Sequence, residues 1–219
     1  MCLVKIRLQT ELELSDYIRI DHFRGFCAAW EIPSSANNDA RQGSWGPSPG
    51  KELFAALKRE LGSLPFIAED LGLITPDVDD LRTSLGLPGM KILQFAFGSY
   101  EHAYLPHNYD SSNWVCYTGT HDNNTCKGWY QDAPDLEKHR YRVYTGRSGT
   151  DPGWDLIRLA WSSVARWSVT TMQDVLGQGS EGRLNIPGLS GGQWSWRAHS
   201  LPEDAARRLR DLGEAYGRL

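Results

Sequence analysis

No stretch of this 219-residue chain approaches the ~18 to 20 consecutive apolar residues that a membrane-spanning helix needs, so no membrane partner is expected. The opening MCLVKIRLQTELEL is too short in its apolar part, and too charged after it, for a secretory signal. Fixed-period repeats, low-complexity segments and linker-like runs are also missing. Cysteine is scarce: Cys2, Cys27, Cys116 and Cys126 form no CxxC pair and no regular framework. That pattern fits reduced, partly buried thiols in a reducing compartment. Basic excess is lacking too, with 23 Lys+Arg against 27 Asp+Glu and a net charge of -4, which argues against nucleic acid as a partner. With 40% hydrophobic and 23% charged residues, collagen-like, disordered and coiled-coil classes drop out, and the length fits one domain or at most two small ones.

What the chain has in quantity is aromatic: nine Trp, nine Tyr and six Phe. Such rings fill a core, or stack on the apolar faces of sugars while their N–H or O–H finds a polar partner. Short apolar runs alternate with helical patterns. Strands are expected at 17–21 (YIRID), 65–69 (PFIAE), 90–97 (MKILQFAF), 114–119 (WVCYTG) and 169–176 (VTTMQDVL). Between them, 51–61 carries apolar residues at 53, 54, 57 and 61, a 3.6-residue stripe closed by Gly62. A second helix should open with Thr75 as N-cap and Pro76 at its first position, and close at Gly86. Others are expected over 136–144, 154–167 and 202–216, the last with Ser200 and Glu203 spaced as a capping box. This alternation means parallel strands with right-handed crossovers, an α/β fold, either an open doubly wound sheet or a closed barrel.

Three of the strand-like runs end in an acid followed by polar residues: Asp21 in RIDH, Glu69 in AED and Asp122 in THDN. The loops at the C-terminal strand ends of a barrel open on one face, so acids 48 and 53 residues apart in sequence can converge in space. A carboxylate trio in an aromatic-rich pocket serves hard-metal binding or glycosidic bond cleavage. No loop with the short oxygen-ligand spacing of a calcium site is present, and His121-Asp122 has no second His pair to complete a metal set. Glycoside chemistry needs one acid kept protonated and one ionised. The competing reading is that each acid caps a helix or pairs with Arg19 or Arg24. Gly177–Gly182 fits GxGxxG, but Pro187 follows too soon for the helix of a dinucleotide site; Gly188–Gly192 fits GxSxG without a leading strand. Both read as loop glycines.

The stretches IRIDHFRGF (18–26), IAEDLGLITPDV (67–78), LPGMKILQFAF (87–97), LPHNY (105–109), YTGTHDNNT (117–125), QDVLGQGSEGRLNIPG (173–188) and QWSWR (193–197) resemble, in order, the 4-α-glucanotransferases. This is the amylomaltase or disproportionating-enzyme family, relatives of the α-amylases. The resemblance implies a (β/α)8 TIM-type barrel and retaining transfer of α-1,4-glucan segments between maltooligosaccharide donor and acceptor, with no cofactor and no metal. Carried over by position, Asp21 matches the nucleophile, Glu69 the general acid/base and Asp122 the acid that grips the distorted sugar. Arg19, His22, Phe95, His121 and Asn123 match substrate-binding positions. Independently of the family, Asp21 beside Arg19 should stay ionised, and Glu69 behind Phe66-Ile67-Ala68 should be desolvated toward the pKa of a proton donor.

Two departures stand out. Asn124 occupies a place where the family more often has an acid. The chain is also about half the family's usual length or less, and residues 1–7 do not read like the family. It is therefore expected to be a shortened frame or natural fragment, an incomplete barrel carrying about strands 4–8 over 1–219. Its end strands at 17–21 and 169–176 would leave open edges, so an oligomer or a complementing N-terminal fragment is expected. An inactive glucan-binding remnant and an α-glucan hydrolase are the alternatives. A cytoplasmic location is expected, or a plastid in a photosynthetic eukaryote.

Overall fold

The apolar stripe at 53, 54, 57 and 61 becomes a helix whose inward face builds the core of the first half of the molecule. The structure is a computed structural model describing every residue except Met1, Asn38, Leu73 and Leu201. Two units divide the chain, Met1–Met90 and Lys91–Leu219.

In the first unit α1 (Cys2–Leu14) leads into β1 (Ile18–Ile20), followed by a hairpin of β2 (Ala28–Glu31) and β3 (Ser44–Pro47), α2 (Gly50–Leu61), β4 (Phe66–Ala68), α3 (Pro76–Ser84) and the start of β5 (Gly89–Ile92). β1 and β4 pair in parallel, Ile18 opposite Phe66 through Ile20 opposite Ala68. Phe54 and Leu57 of α2 are buried against Phe23, Phe66, Ala68, Val78, Leu81 and Leu87. Phe54 sits at the centre of this cluster, with ring centroids 5.6 Å from Phe23, 5.0 Å from Phe26 and 6.3 Å from Phe66. A glycine is required at the start of α2, because a Cβ on Gly50 would lie 2.2 Å from the Phe26 carbonyl oxygen. Thr75 and Pro76 open α3 as expected, with Asp77 and Asp79 in its first turn where they favour the helix dipole. The hairpin was not foreseen: β2 and β3 are antiparallel with Trp30 opposite Trp45, the rings edge-on at 5.3 Å.

The second unit holds β6 (Trp114–Tyr117), α4 (Cys126–Asp132), α5 (Asp135–Thr145), α6 (Pro152–Trp161), β7 (Trp167–Val169), α7 (Met172–Val175) and α8 (Glu203–Ala215). Its sheet runs in the order β5-β6-β7, with β6 and β7 parallel. Phe97, Trp114, Cys116, Tyr141 and Leu156 lie in one buried cluster. Trp154, Ile157, Val175, Ala205 and Leu212 form another, which seats α8. The aromatic surplus is divided: Trp114 and Trp154 are core, while Trp30, Trp45 and Trp194 are about half-exposed.

Three local expectations are corrected. The strand at 90–97 stops at Ile92, and Leu93–Gly98 is a 3-10 helix. Leu93, Gln94, Ala96 and Phe97 are buried while Phe95 is exposed, a helical spacing that an all-apolar run conceals. The strand at 169–176 lies earlier, at Trp167–Val169. Thr171 then caps the single turn of α7, its side chain accepting the Asp174 N–H at 3.2 Å, so a local cap overrides strand propensity. The capping box at α8 does not form: the N-cap is Pro202, and no side chain caps it. The two glycine-rich matches lie in turns, bends and a 3-10 turn, as expected of loops. No helix among the described residues is long and apolar enough to cross a membrane.

Candidate active site

The parallel register of β1 and β4 places Asp21 and Glu69 directly after paired residues, Ile20 and Ala68. Main-chain bonds continue the pairing past the strands. Glu69 N–H donates to the Ile20 carbonyl at 2.9 Å, and Phe23 N–H to the Glu69 carbonyl at 3.0 Å. Between these bonds His22 takes a left-handed backbone, φ 48° and ψ 54°, uncommon for a residue with a Cβ. Its N–H reaches the Glu69 carboxylate, 2.7 Å to Oε2, while Leu71 N–H donates to Oε1 at 2.9 Å. Glu69 is half-buried. The desolvation expected behind Phe66-Ile67-Ala68 is therefore partial, and the carboxylate is oriented by two backbone donors rather than by a closed apolar pocket.

Asp21 projects into solvent with 76% of its side chain exposed, its Oδ1 2.8 Å from Arg19 Nη2. The neighbouring Asp70 is the opposite case, a carboxylate that sequence reasoning passed over. It is buried, its Oδ1 accepting the Met90 N–H at 2.8 Å and its Oδ2 lying 3.2 Å from Arg82 Nε. Arg82 is buried as well and donates to the Leu87 carbonyl at 3.2 Å. This pair pins the chain where it leaves β4, next to Glu69.

In the second unit Asp122 lies five residues beyond the end of β6, on a turn rather than at the strand end itself. Asn123 builds that turn: its Oδ1 accepts from Thr120 N–H and Thr120 Oγ1–H, both at 2.8 Å. Its amide oxygen is thus committed to the turn. His121 Nε2 is 3.4 Å from Asp122 Oδ2. The other carboxylate oxygen, Oδ1, accepts from Asn185 Nδ2 at 2.6 Å. Arg183 Nη2 donates to the Asp122 carbonyl at 2.7 Å, and Trp194 lies against His121 with centroids 5.2 Å apart. Asn185 and Arg183 belong to the stretch GRLNIPG and Trp194 to QWSWR, where nothing local in the sequence signals their contacts with Asp122 and His121. A cavity of about 220 Å³ adjoins His121, lined among others by Asn123, Asn124, Gln173 and Arg183.

Asn124 donates its Nδ2 to Ser180 Oγ at 2.9 Å and accepts Thr125 N–H at 2.9 Å. Phe95 stands half-exposed on its 3-10 helix, and among the described residues no hydrogen bond or ring contact joins it to His121 or Asp122. Beneath this loop Asp174 is buried, accepting Thr118 Oγ1–H at 2.9 Å and Cys126 N–H at 2.7 Å. Among the described residues no three His, Cys, Asp or Glu side chains are grouped to hold a metal ion.

Comparison with known proteins identifies relatives of the chain. The chain is 48% identical over 224 residues to a 4-alpha-glucanotransferase of Thermus thermophilus, covering 97% of this chain and 44% of that one. It is 45% identical over 217 residues to a 4-alpha-glucanotransferase of Synechocystis sp., covering 97% and 43%. Among solved structures it matches an amylomaltase from Streptococcus agalactiae in complex with acarbose, with a TM-score of 0.90 and 37% identity over 98% of this chain and 44% of that one. The chain spans less than half the length of these relatives. The family model described as 4-alpha-glucanotransferase matches residues 4–202, and on that match the chain belongs to the 4-alpha-glucanotransferase family.

Proposed function

We propose that this chain carries the acid machinery of a retaining 4-α-glucanotransferase acting on α-1,4-linked maltooligosaccharides. The observation that carries the reading is the parallel pairing of β1 with β4, which puts Asp21 and Glu69 at neighbouring strand ends and turns the His22 N–H onto Glu69. In the first step the Glu69 carboxyl proton passes to the glycosidic oxygen as its bond to the anomeric carbon breaks. An Asp21 oxygen bonds that carbon, giving a glycosyl ester. In the second, Glu69 takes the proton of an acceptor sugar hydroxyl, whose oxygen displaces Asp21. Asp122 accepts hydrogen bonds from hydroxyls of the distorted sugar, with His121 beside it. Arg19 aims Asp21 through their 2.8 Å ion pair, and His22, Phe95 and Asn123 border the sugar. The chemistry uses carboxylates alone and calls on neither cofactor nor metal.

In this reading residues 1–219 are a partial catalytic barrel, about strands 4–8, and the family match from residue 4 onward takes in most of the 1–7 stretch that was expected to lie outside it. Among the described strands β1 pairs only with β4 and β7 only with β6, so both keep an open edge. An oligomer, or a fragment bearing the remaining strands, completes the barrel. The setting is the cytoplasm, or a plastid if the source is a photosynthetic eukaryote.

Incubation with maltotriose tests the function. Glucose together with oligomers longer than the substrate is the expected result. Glucose and maltose alone would make the chain a hydrolase, and glucan binding without turnover would make it a binding remnant. Asp21→Asn should abolish turnover; unchanged turnover would remove Asp21 from the nucleophile's role.

A further inference from the structure

The loop between α7 and α8 closes on the His121-Asp122 pair from three sides. Asn185 Nδ2 donates to Asp122 Oδ1 at 2.6 Å. Arg183 spans the Asp122 carbonyl, 2.7 Å from Nη2, and the Asn185 carbonyl, 2.9 Å from Nε. Trp194 covers the imidazole of His121 at 5.2 Å, the ring planes 34° apart. The two carboxylate oxygens of Asp122 are thereby divided, one to Asn185 and one to His121 at 3.4 Å, and the imidazole has an aromatic wall behind it.

Trp194 does this at a cost in backbone strain. Its φ is +63°, a left-handed conformation that bulky residues avoid and glycine adopts freely. The loop over-determines it: Trp194 N–H donates to the Leu184 carbonyl at 2.8 Å, and Ile186 N–H donates to Gln193 Oε1 at 2.8 Å. Arg197 Nη1 donates to the Trp194 carbonyl at 3.0 Å. Folding alone does not call for a tryptophan here, since more than half of its surface, 53%, remains in solvent. Strain retained at an exposed aromatic, beside a paired histidine and carboxylate, points to a role in the site.

We infer that Asn185 and Trp194 are positioning residues for glucan recognition, Asn185 fixing the rotamer of Asp122 and Trp194 the ring plane of His121. The inference rests on the reading of Asp122 and His121 as sugar-contacting groups. Neither positioning residue need touch the sugar; both act through the pair that does.

The test uses the full 219-residue chain and maltoheptaose as the probe. Trp194→Gly relieves the left-handed strain, so its thermal midpoint should stay near the parent's. Its His121 imidazole proton resonances should shift as the ring current of Trp194 is lost, and maltoheptaose should bind about tenfold more weakly by calorimetry. Trp194→Phe, which keeps an aromatic wall, should restore most of that affinity. Asn185→Ala should weaken binding by a similar factor, and Asn185→Asp should not rescue it, because a carboxylate offers no donor to Asp122. Unmoved His121 resonances in Trp194→Gly, or full affinity in both Trp194→Gly and Asn185→Ala, would overturn the positioning role. Asp122→Asn separates the two layers. If it abolishes binding while the loop variants do not, only the positioning inference fails. If it leaves binding unchanged, or the unsubstituted chain binds no maltoheptaose, the reading of the site fails and the inference with it.

Discussion

Replacing Arg82 by methionine should destabilise the protein more than replacing Arg82 and its partner Asp70 together. Both side chains are withdrawn from water, with 7% and 5% of their surface exposed and 3.2 Å between Arg82 Nε and Asp70 Oδ2. Arg82→Met removes the cation and leaves a buried carboxylate facing a thioether, a change that costs about 3 to 5 kcal/mol. Out of a typical domain stability of about 5 to 15 kcal/mol this is a large fraction. In Asp70→Asn/Arg82→Met neither charge remains, while Asn keeps an Oδ1 to accept the Met90 N–H now made at 2.8 Å. The residual cost is that of lost hydrogen bonds, such as the one from Arg82 to the Leu87 carbonyl, about 1 to 2 kcal/mol. Urea unfolding followed by far-ultraviolet circular dichroism reads the difference. With a slope of about 2 kcal/mol per molar, the single variant should lose about 2 M in midpoint and the double variant less than half of that. A single variant within about 1 kcal/mol of the parent, or a double variant less stable than the single, would refute the reasoning. Because Asp70 follows Glu69 directly, the single variant should also lose turnover in the maltotriose assay before it unfolds.

His22→Gly keeps the N–H that Glu69 accepts and relieves φ +48°, so its stability should lie within about 1 kcal/mol of the parent. His22→Pro loses that N–H and is locked near φ −65°, and should cost about 3 kcal/mol or more; equal urea midpoints for the two would show that the main-chain bond contributes nothing. The thiols set the alkaline behaviour. Burial pushes Cys116 up to about 11 from an ordinary 9.0, and Cys126 is raised by burial and by the adjoining Asp174. The folded state thus holds these protons where the unfolded chain has released them, so stability is full below pH 9 and falls as pH rises toward 11. Thermal midpoints that stay flat across that window, or rapid labelling of Cys116 and Cys126 by iodoacetamide in native protein at pH 8, would contradict this.

The parts of the site legible in the sequence are those whose geometry is local. Asp21 and Glu69 follow their strands immediately, so an acid at the end of an apolar run marks their place in the sequence. Asp122 reads the same way although its strand ends five residues earlier, with Thr120 and Asn123 folding the intervening residues into a compact turn. Period and cap signals also fail locally when they compete. In MKILQFAF an unbroken apolar run cannot distinguish the four residues of β5 from the 3-10 helix after it, and at Thr171 a cap outweighed the β-branched residues around it.

The positioning groups are illegible for a different reason. Asn185 and Arg183 meet Asp122 across 63 and 61 residues, and Trp194 carries no residue-type sign of its left-handed backbone, which in a sequence would be sought at glycine or asparagine. Their contacts are products of tertiary closure, and so is the strain at His22. Of the three described non-glycine residues with a left-handed backbone, His22, Asn37 and Trp194, the first stands beside Glu69 and the last beside the His121-Asp122 pair. A fold optimised for stability alone would place glycine at both, as it does at Gly62 and Gly86 beyond the ends of α2 and α3. At His22 the strain aims a main-chain donor, and at Trp194 it aims a ring. If each site was selected for what it aims, glycine should cost little folding free energy at either position, and glucan affinity should fall at Trp194 through the freed His121 ring and at His22 through the lost imidazole bordering the sugar. At His22 the main-chain donor survives the substitution, so the orientation of Glu69 should survive with it.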